Sequence, residues 1–443
     1  MSSRTLYTSL ISFFSIAIIG CQTQGTGSKS SLTDLTTSSA QGRIQATNYT
    51  IPKGAGVEQL VSKALSHHPS LVAARHKINR LQAKVPQAAS LPDPKARISA
   101  GSLAETAAGQ VSSIVGLEQS IPFPGKRKAR ASAAQKEADA SRAELDSLKL
   151  RIAERVRIAY WNYYLASRTT AINRDSKAVL KTIQEVVESR VKANQANQAD
   201  LLRVSTEISK VDQQLIMASQ QASSAKAMLN SLLNRPTNSS LPYPRSSSIP
   251  SSSSLNNLIA KAESSHPSIR AGQARMNAFQ HRLKNAELDF FPDLMIGAQY
   301  ATVSDSGLSG VANGRDQAML TLGFTIPLWD KPRKAKVREA NAGIAEMAAN
   351  VAGSRAELRQ RIEDAWFQTK SSREMIQIFD ERLIPDATQA YELSLQSYSA
   401  GKQSFVDVLD TWRLLLKLQL QQENSRAALG KASAALKSAA AIR

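Results

Sequence analysis

The chain has 443 residues, with 56 Lys and Arg against 36 Asp and Glu and a formal net charge of +20. Its single cysteine excludes a disulfide within the chain, and its five scattered histidines give no support to a transition-metal site. A basic balance of this size is typical of proteins that bind nucleic acid, so that class is weighed against the rest of the sequence.

The N-terminus has the pattern of a secretory signal peptide over residues 1–20. After Arg4, an apolar run extends over residues 10–20 and ends directly before Cys21. A basic start, a short apolar core and a small residue before the cleavage point are typical of export. Cys21 resembles the acylated cysteine of bacterial lipoproteins, and the non-acidic Gln22 favours the outer membrane; the alternative is a free thiol near a disordered end. Export argues against a nucleic-acid partner.

The next segment, residues 21–55, is rich in Ser, Thr, Gly and Gln and has no apolar period. Such a composition cannot bury a core, which predicts a flexible tether behind the lipidated cysteine. No later stretch reaches the roughly 20 apolar residues that an α-helical membrane span requires. If the body of the protein enters a membrane, we therefore expect it to do so through β-strands.

The remainder of the chain reads as an internal duplication. His-Pro-Ser followed by an aliphatic residue occurs at 68–71 and 266–269, and an Ile-Pro step followed by basic residues occurs at 121–130 and 326–336. Self-similarity of this kind indicates two copies of one structural unit. The predicted segments are a first repeat over residues 56–234, a linker over 235–254 and a second repeat over 255–443.

Each repeat contains a predicted β-hairpin, at about 95–122 and about 293–327. The second is clearer, because Ala318, Leu320, Leu322 and Phe324 alternate with small or polar residues. Period-two alternation with one apolar face is typical of a strand that faces lipid or a core. Four strands cannot close a barrel, since the smallest outer-membrane barrels have about eight, so the pattern predicts an oligomer.

Beyond each Ile-Pro step the apolar period becomes helical. In the first repeat the seam continues without an internal proline over residues 126–192, which predicts one helix on the order of 100 Å long. The predicted helical hairpins cover about 126–234 and about 332–441. Asn194 and Gly401, the residue types that most readily adopt left-handed backbone, mark the turns at their tips.

Together these motifs resemble the TolC-type outer membrane factor family, in its lipoprotein branch. The residues that carry the resemblance are the two His-Pro-Ser segments, Leu117–Lys126, Leu322–Trp329, Tyr398–Gly401 and Val406–Asp410.

The resemblance implies an α+β membrane protein. It implies a homotrimer whose strands, four from each chain, form one β-barrel that continues as an antiparallel α-helical coiled-coil barrel. The implied function is an exit duct for efflux or type I secretion, anchored by lipid in the outer membrane and extending into the periplasm. The implied partners are outer-membrane lipid, a periplasmic adaptor and an inner-membrane pump of RND or ABC type.

The resemblance also assigns roles to residues near the second tip turn. It places Asp407 and Asp410 at a pore constriction, and Tyr398 and Asp200 become gate candidates. Asn197-x-x-Asp200 and Ser404-x-x-Asp407 also have the form of capping boxes, which explains both acids without a pore.

Capping does not require Asp410, and the first repeat has Arg203 at the equivalent position. Three copies of Asp410 would form an acidic ring that selects cations. The alternative is a solvated or salt-bridged surface residue.

The sequence contains no constellation of catalytic residues, so no enzyme and no cofactor are expected. His68 and His266, each before a proline, are interpreted as structural residues at helix starts. The competing hypothesis for function is a lipid-tethered periplasmic coiled-coil scaffold or adaptor without a pore. A basic helical protein that binds nucleic acid is a more distant alternative.

Overall fold

The computed structural model describes residues 49–52, 54–246 and 254–442; the predicted signal peptide, Cys21 and most of the predicted tether lie outside these ranges. Helices and strands follow one another in the same order in both halves. The elements of the first half are α1 Val57–His67, α2 Pro69–Ala89, β1 Lys95–Thr106, β2 Gly109–Ile121, α3 Lys126–Lys192 and α4 Gln198–Leu232.

The second half repeats the order helix, helix, strand, strand, helix, helix, with one interruption in its long helix. Its elements are α5 Leu255–Ser265, α6 Pro267–Leu288, β3 Leu294–Val303, β4 Gln317–Phe324, α7 Asp330–Ile378, a π-helical turn Phe379–Leu383, α8 Ile384–Ser399 and α9 Phe405–Ala439.

The two His-Pro steps separate short helices, as the sequence predicts. Pro69 and Pro267 each occupy the first helical position, where the missing N–H costs nothing. The Nδ1 atoms of His68 and His266 each accept a hydrogen bond at 3.2 Å from the backbone N–H two residues later. Both histidines therefore cap helices, and the structural interpretation of these residues is confirmed.

The four strands form one antiparallel sheet in the order β1-β2-β3-β4. Pairing of β2 with β3 joins the two hairpins, and the register aligns Val115 with both Ile98 and Tyr300. Aligned residues share a face, so the apolar positions of neighbouring strands form one continuous surface. On β4, Leu320 and Leu322 are 85% and 75% exposed, which leaves this apolar face uncovered in the single chain.

A small polar cluster fixes the change from strand to helix at the start of α3. Asp293 accepts hydrogen bonds from the backbone N–H of Phe123 at 2.7 Å and from the Lys126 ammonium at 2.8 Å. The rings of Phe123 and Phe291 stack with their centroids 4.7 Å apart. Gly125, with φ 98°, occupies a left-handed turn that glycine adopts without strain.

The long helix α3 is unbroken over its 67 residues, which confirms the prediction from its apolar period and lack of proline. It is the central element, since it contacts α1, α2, α4, α6 and α9. Its middle part packs around Val156 and Trp161, and its C-terminal part packs around Leu180 and Val187 against α4 and α9. Within the described ranges, no helix combines the length and apolar character needed to cross a membrane.

The long helix of the second half is interrupted where α3 is continuous. At the π-helical turn the backbone N–H of Ile384 donates to the carbonyl of Phe379, five residues earlier. Pro385 follows at the start of α8 and has no N–H to donate to the preceding turn. The sequence predicts one helical hairpin over about 332–441 and not this irregularity. Pro385 is the residue that could have indicated it.

Candidate functional site

The tip of each long helical hairpin is built by the same backbone turn. Asn194 and Gly401 have φ values of 56° and 74°, as predicted for left-handed residues that end a helix. At the first tip, the N–H groups of Asn194 and Gln195 donate to the carbonyls of Val191 and Arg190. The second tip repeats this pair of hydrogen bonds, which is the Schellman arrangement.

Capping side chains start the return helices. Asn197 accepts a hydrogen bond from the backbone N–H of Ala199 at 3.1 Å. Ser404 accepts from the backbone N–H of Asp407 at 3.4 Å, and its hydroxyl donates to the Asp407 carboxylate at 2.9 Å. The predicted capping roles of Asn197 and Ser404 are therefore present, and Asp200 and Asp407 both lie in first helical turns.

Tyr398 lies inside the tip rather than on its surface. Its side chain is 3% exposed, beside Phe405, with the Arg190 guanidinium 4.5 Å from the ring centre. Burial raises the pKa of Tyr398; Arg190 opposes this shift and Asp200 reinforces it. The Tyr398 hydroxyl and the Nε and Nη1 atoms of Arg190 have no hydrogen-bond partner among the described residues. The structure thus brings Tyr398 and Asp200 together with Arg190, a residue that the sequence analysis missed.

The acids of the second tip are exposed but not isolated. The Asp410 side chain is 62% exposed and pairs with Arg413 at 3.0 Å. Arg413 also contacts Glu207 of α4, and Lys210 contacts the same carboxylate. In the first half, Asp200, which aligns with Asp407, pairs with Arg203, which aligns with Asp410. These ion pairs place Asp410 at an exposed position of the tip and link it, through Arg413, to the other return helix.

Glu207 was missed by the sequence analysis although its position carries a signal. It lies between Val204 and Val211, on the apolar seam of α4, where an acid needs a partner across the helix interface. Its side chain is only 8% exposed. Burial favours a raised pKa, but hydrogen bonds and charges from Arg413 and Lys210 outweigh it and lower the pKa of Glu207.

A second buried acid lies farther along α9. Glu423 is 1% exposed, accepts a hydrogen bond from the Tyr164 hydroxyl at 2.6 Å and pairs with Arg168 at 3.0 Å. Burial and the neighbouring Glu423 carboxylate raise the pKa of Tyr164 to about 12. Arg426 bridges Glu423 to Asp380 of the π-helical turn. This network joins α3 to the interrupted part of the second half.

No group of three or more His, Cys, Asp or Glu side chains suited to a metal ion occurs within residues 49–52, 54–246 and 254–442. The features gathered at the tip are instead turns, caps, a stacked Arg–Tyr pair and exposed ion pairs. Together they form a structured protein end that presents charge.

Comparisons with known proteins identify relatives of this chain. The chain is 22% identical over 368 residues to the cobalt-zinc-cadmium resistance protein CzcC of Cupriavidus metallidurans, covering 82% of this chain and 85% of CzcC. It is 25% identical over 329 residues to the pyoverdine export outer membrane protein OpmQ of Pseudomonas putida, covering 71% of this chain and 67% of OpmQ.

The crystal structure of the outer membrane protein VceC from Vibrio cholerae has the same fold. It superposes with a TM-score of 0.72 at 20% identity, over 87% of this chain and 95% of VceC. The sequence profile of outer membrane efflux proteins matches residues 60–235 and 258–441, which together include most of the chain. The chain therefore belongs to the outer membrane efflux protein family.

Proposed function

We propose that this protein is the outer-membrane exit duct of a tripartite efflux or type I secretion system. It would be a passive, gated channel that works with a periplasmic adaptor and an inner-membrane pump of RND or ABC type. The observation that carries the proposal is the amphipathic sheet, whose uncovered apolar face continues directly into long paired helices. Strand faces of this kind suit lipid, and helices of this length suit a tunnel.

The proposed assembly is a homotrimer. The sheet ends in β1 and β4, whose outer edges have no strand partner among the described residues. Exposed edges of apolar strands invite pairing with another chain, and three four-stranded sheets reach the number of strands that a closed outer-membrane barrel requires. The matching element order of the two halves supports the proposed internal duplication.

The proposed constriction is the tip, with Asp407 and Asp410 facing the pore and with Tyr398 and Asp200 in the gate. The exposure of Asp410 supports this role, because a pore-lining acid must reach water in the single chain. Its pairing with Arg413 reduces but does not remove its negative potential, since the pair is exposed and screened. A ring of three such acids would favour cations.

The proposed anchor is a lipid chain on Cys21 after removal of residues 1–20. Mass spectrometry of the mature N-terminal peptide tests this directly. The expected mass is that of an acylated cysteine, and an unmodified N-terminus at another residue would overturn the anchor without affecting the channel.

The names of the two relatives concern different cargoes, metal resistance in one and pyoverdine export in the other. What they have in common is an export route, so the proposal concerns the duct and not one cargo. The tethered scaffold without a pore remains the second hypothesis. The exposed apolar face of β4 disfavours it, since a soluble scaffold would keep that face in water.

The test is single-channel conductance of the purified protein in a planar bilayer, with its mass measured in the same detergent. We expect a trimer with cation-selective openings, and reduced selectivity in Asp410→Ala. Asp364→Ala is the matched control, because Asp364 is also exposed but lies on α7 and away from the tip.

A monomer that never conducts would overturn the duct in favour of the tethered scaffold. Identical conductance and selectivity in the wild type and Asp410→Ala would support the duct but contradict the pore-lining role of Asp410.

A further inference from the structure

The apolar face of the sheet ends in an exposed aromatic residue. After β4, Ile326 and Leu328 remain 66% and 72% exposed, and Trp329 is 78% exposed. Trp161 and Trp412, by contrast, are each only 3% exposed. A large amphipathic ring exposed at the end of an apolar strand surface is typical of the level where hydrocarbon meets lipid headgroups.

Basic residues begin directly beyond this point in both halves. Residues 126–130 and 331–338 contain nine Lys and Arg and no acidic residue. The first turn of α3 contains no acid at all, although cations are disfavoured at that end of a helix. The sequence thus concentrates positive charge at a helix end where the local helix electrostatics oppose it.

The two basic segments lie at the same level of the molecule. Asp289 joins them, because its carboxylate lies 3.9 Å from the Lys126 ammonium and 2.9 Å from the Lys336 ammonium. Arg333 donates to the backbone carbonyl of the same aspartate at 2.8 Å. The starts of α3 and α7 therefore present their cations side by side rather than at two separate heights.

Three acids near the two segments form ion pairs with their cations. Asp293 and Asp289 contact Lys126, Asp289 also contacts Lys336, and Asp330 pairs with Lys334. Four exposed cations of the two segments have neither an ion pair nor a side-chain hydrogen bond among the described residues: Lys128, Arg130, Lys331 and Arg338. These four cations and Trp329 together form the collar.

We propose that the collar binds the phosphate groups of anionic phospholipids in the leaflet next to the helical part of the protein. The inference rests on the proposed function, since it requires the sheet to lie in a membrane. An exposed tryptophan fixes the level of the headgroups, and Lys and Arg beside it attract anionic lipid. Guanidinium groups also match phosphate oxygens in geometry. Part of the net charge of +20 thereby acquires a function.

Tryptophan quenching by brominated phospholipids tests the proposal on the full-length protein in detergent micelles. Trp329 is the reporter, and Trp329→Phe identifies its share of the signal. We expect brominated phosphatidylglycerol to quench Trp329 at a mole fraction about tenfold lower than brominated phosphatidylcholine does at low salt, because Lys and Arg near the headgroups attract anionic lipid.

The collar variant replaces its four cations with glutamine. It is expected to lose the preference for the anionic lipid while keeping its channel conductance. The matched control removes the same charge from exposed lysines far along the sequence from the collar, which form no ion pair with any residue that the structure describes: Lys181, Lys192, Lys402 and Lys417. This control is expected to keep the preference, and a large excess of inorganic phosphate is expected to leave the wild-type preference in place because the site is built for lipid.

Each contrary result separates the collar from the channel. Equal quenching by the two lipids, in a protein that conducts, would overturn the collar and leave the duct. Loss of the preference in the distal control would show an effect of net charge and would also overturn the collar. Competition by inorganic phosphate would point to a free-anion site instead, and quenching by neither lipid in a protein that does not conduct would overturn both proposals.

Discussion

The two long helical hairpins have the same turns and caps but differ in how they continue away from the tip. In the first, α3 extends unbroken over 67 residues. In the second, α7 and α8 are separated by the π-helical turn Phe379–Leu383, followed by Pro385. π-helical turns are rare within α-helices and occur frequently at functional sites.

The difference has a counterpart in the charged contacts. Asp380 of the π-helical turn pairs with Arg426, which also contacts the buried Glu423. Glu423 in turn contacts Tyr164 and Arg168 on the unbroken helix. The irregular hairpin is therefore tied to the regular one by a buried carboxylate. Two halves with the same order of elements thus contain one unbroken long helix and one that is interrupted by a π-helical turn.

We expect the largest effect from removing the buried carboxylate of Glu423, which joins the two hairpins. Glu423→Ala leaves Arg168 and Arg426 without their shared partner and should lower the free energy of unfolding by about 3 kcal/mol, in the range for breaking a buried ion pair. Thermal unfolding followed by circular dichroism measures the change. Glu374→Ala, at an exposed position of α7, is the control and should change stability by less than about 0.5 kcal/mol. Equal destabilisation by the two substitutions would contradict a stabilising role of Glu423 between the hairpins.

Close packing between the same helices gives the next largest effect. A Cβ atom on Gly430 of α9 would overlap the indole ring of Trp161 on α3, whereas a Cβ on Gly353 would meet no atom within 4 Å. Gly430→Ala should destabilise the protein by about 2 kcal/mol through overpacking. Gly353→Ala should be neutral or stabilising by up to about 1 kcal/mol, because alanine is the better helix former. Similar melting temperatures for both variants would contradict the close contact.

Substitutions in the tip turns are expected to have a smaller effect on stability. Gly401 has φ 74°, and a Cβ there would make only an ordinary contact with Arg190 at 3.4 Å, so backbone strain alone opposes a side chain. Gly401→Ala should cost about 1 kcal/mol. Gly401→Asn should cost less than about 0.5 kcal/mol, because Asn194 adopts the same conformation at the other tip. Urea unfolding of both variants gives the difference, and equal costs would show that the two turns are not equivalent.

The smallest effect concerns pH at the link between the two return helices. The lowered pKa of Glu207 means that the folded protein binds fewer protons there than the unfolded chain does. Its stabilisation is therefore complete above the ordinary value of 4.5 and is lost as the pH falls through the lowered pKa. Because Arg413 and Lys210 are about half exposed, we expect less than about 1 kcal/mol.

Glu207→Gln should remove this part of the acid sensitivity. The measurement is the melting temperature of wild type and variant between pH 7 and pH 3. The two curves should converge as the pH falls, and a constant separation across the range would exclude Glu207 as the titrating group.

Much of the fold was predictable because its signals are local. The alternation through Leu320 and Leu322, the uninterrupted apolar period of α3, and the left-handed residues Asn194 and Gly401 each express a preference of a short segment. The same holds for the caps at Asn197 and Ser404. The acids at the tip, in contrast, were assigned by family resemblance, and the structure shows only that Asp410 is exposed and paired with Arg413.

The order of the helices and strands, their periods and the turns between them follow from local sequence, since each depends on residues a few positions apart. Tertiary structure alone decided that β2 pairs with β3, that Arg190 lies against Tyr398 and that Glu423 is buried against Tyr164, 259 residues away along the chain. Contacts of such separation depend on which helix faces meet after packing. No local period specifies that meeting, because many pairings of amphipathic faces satisfy the same pattern.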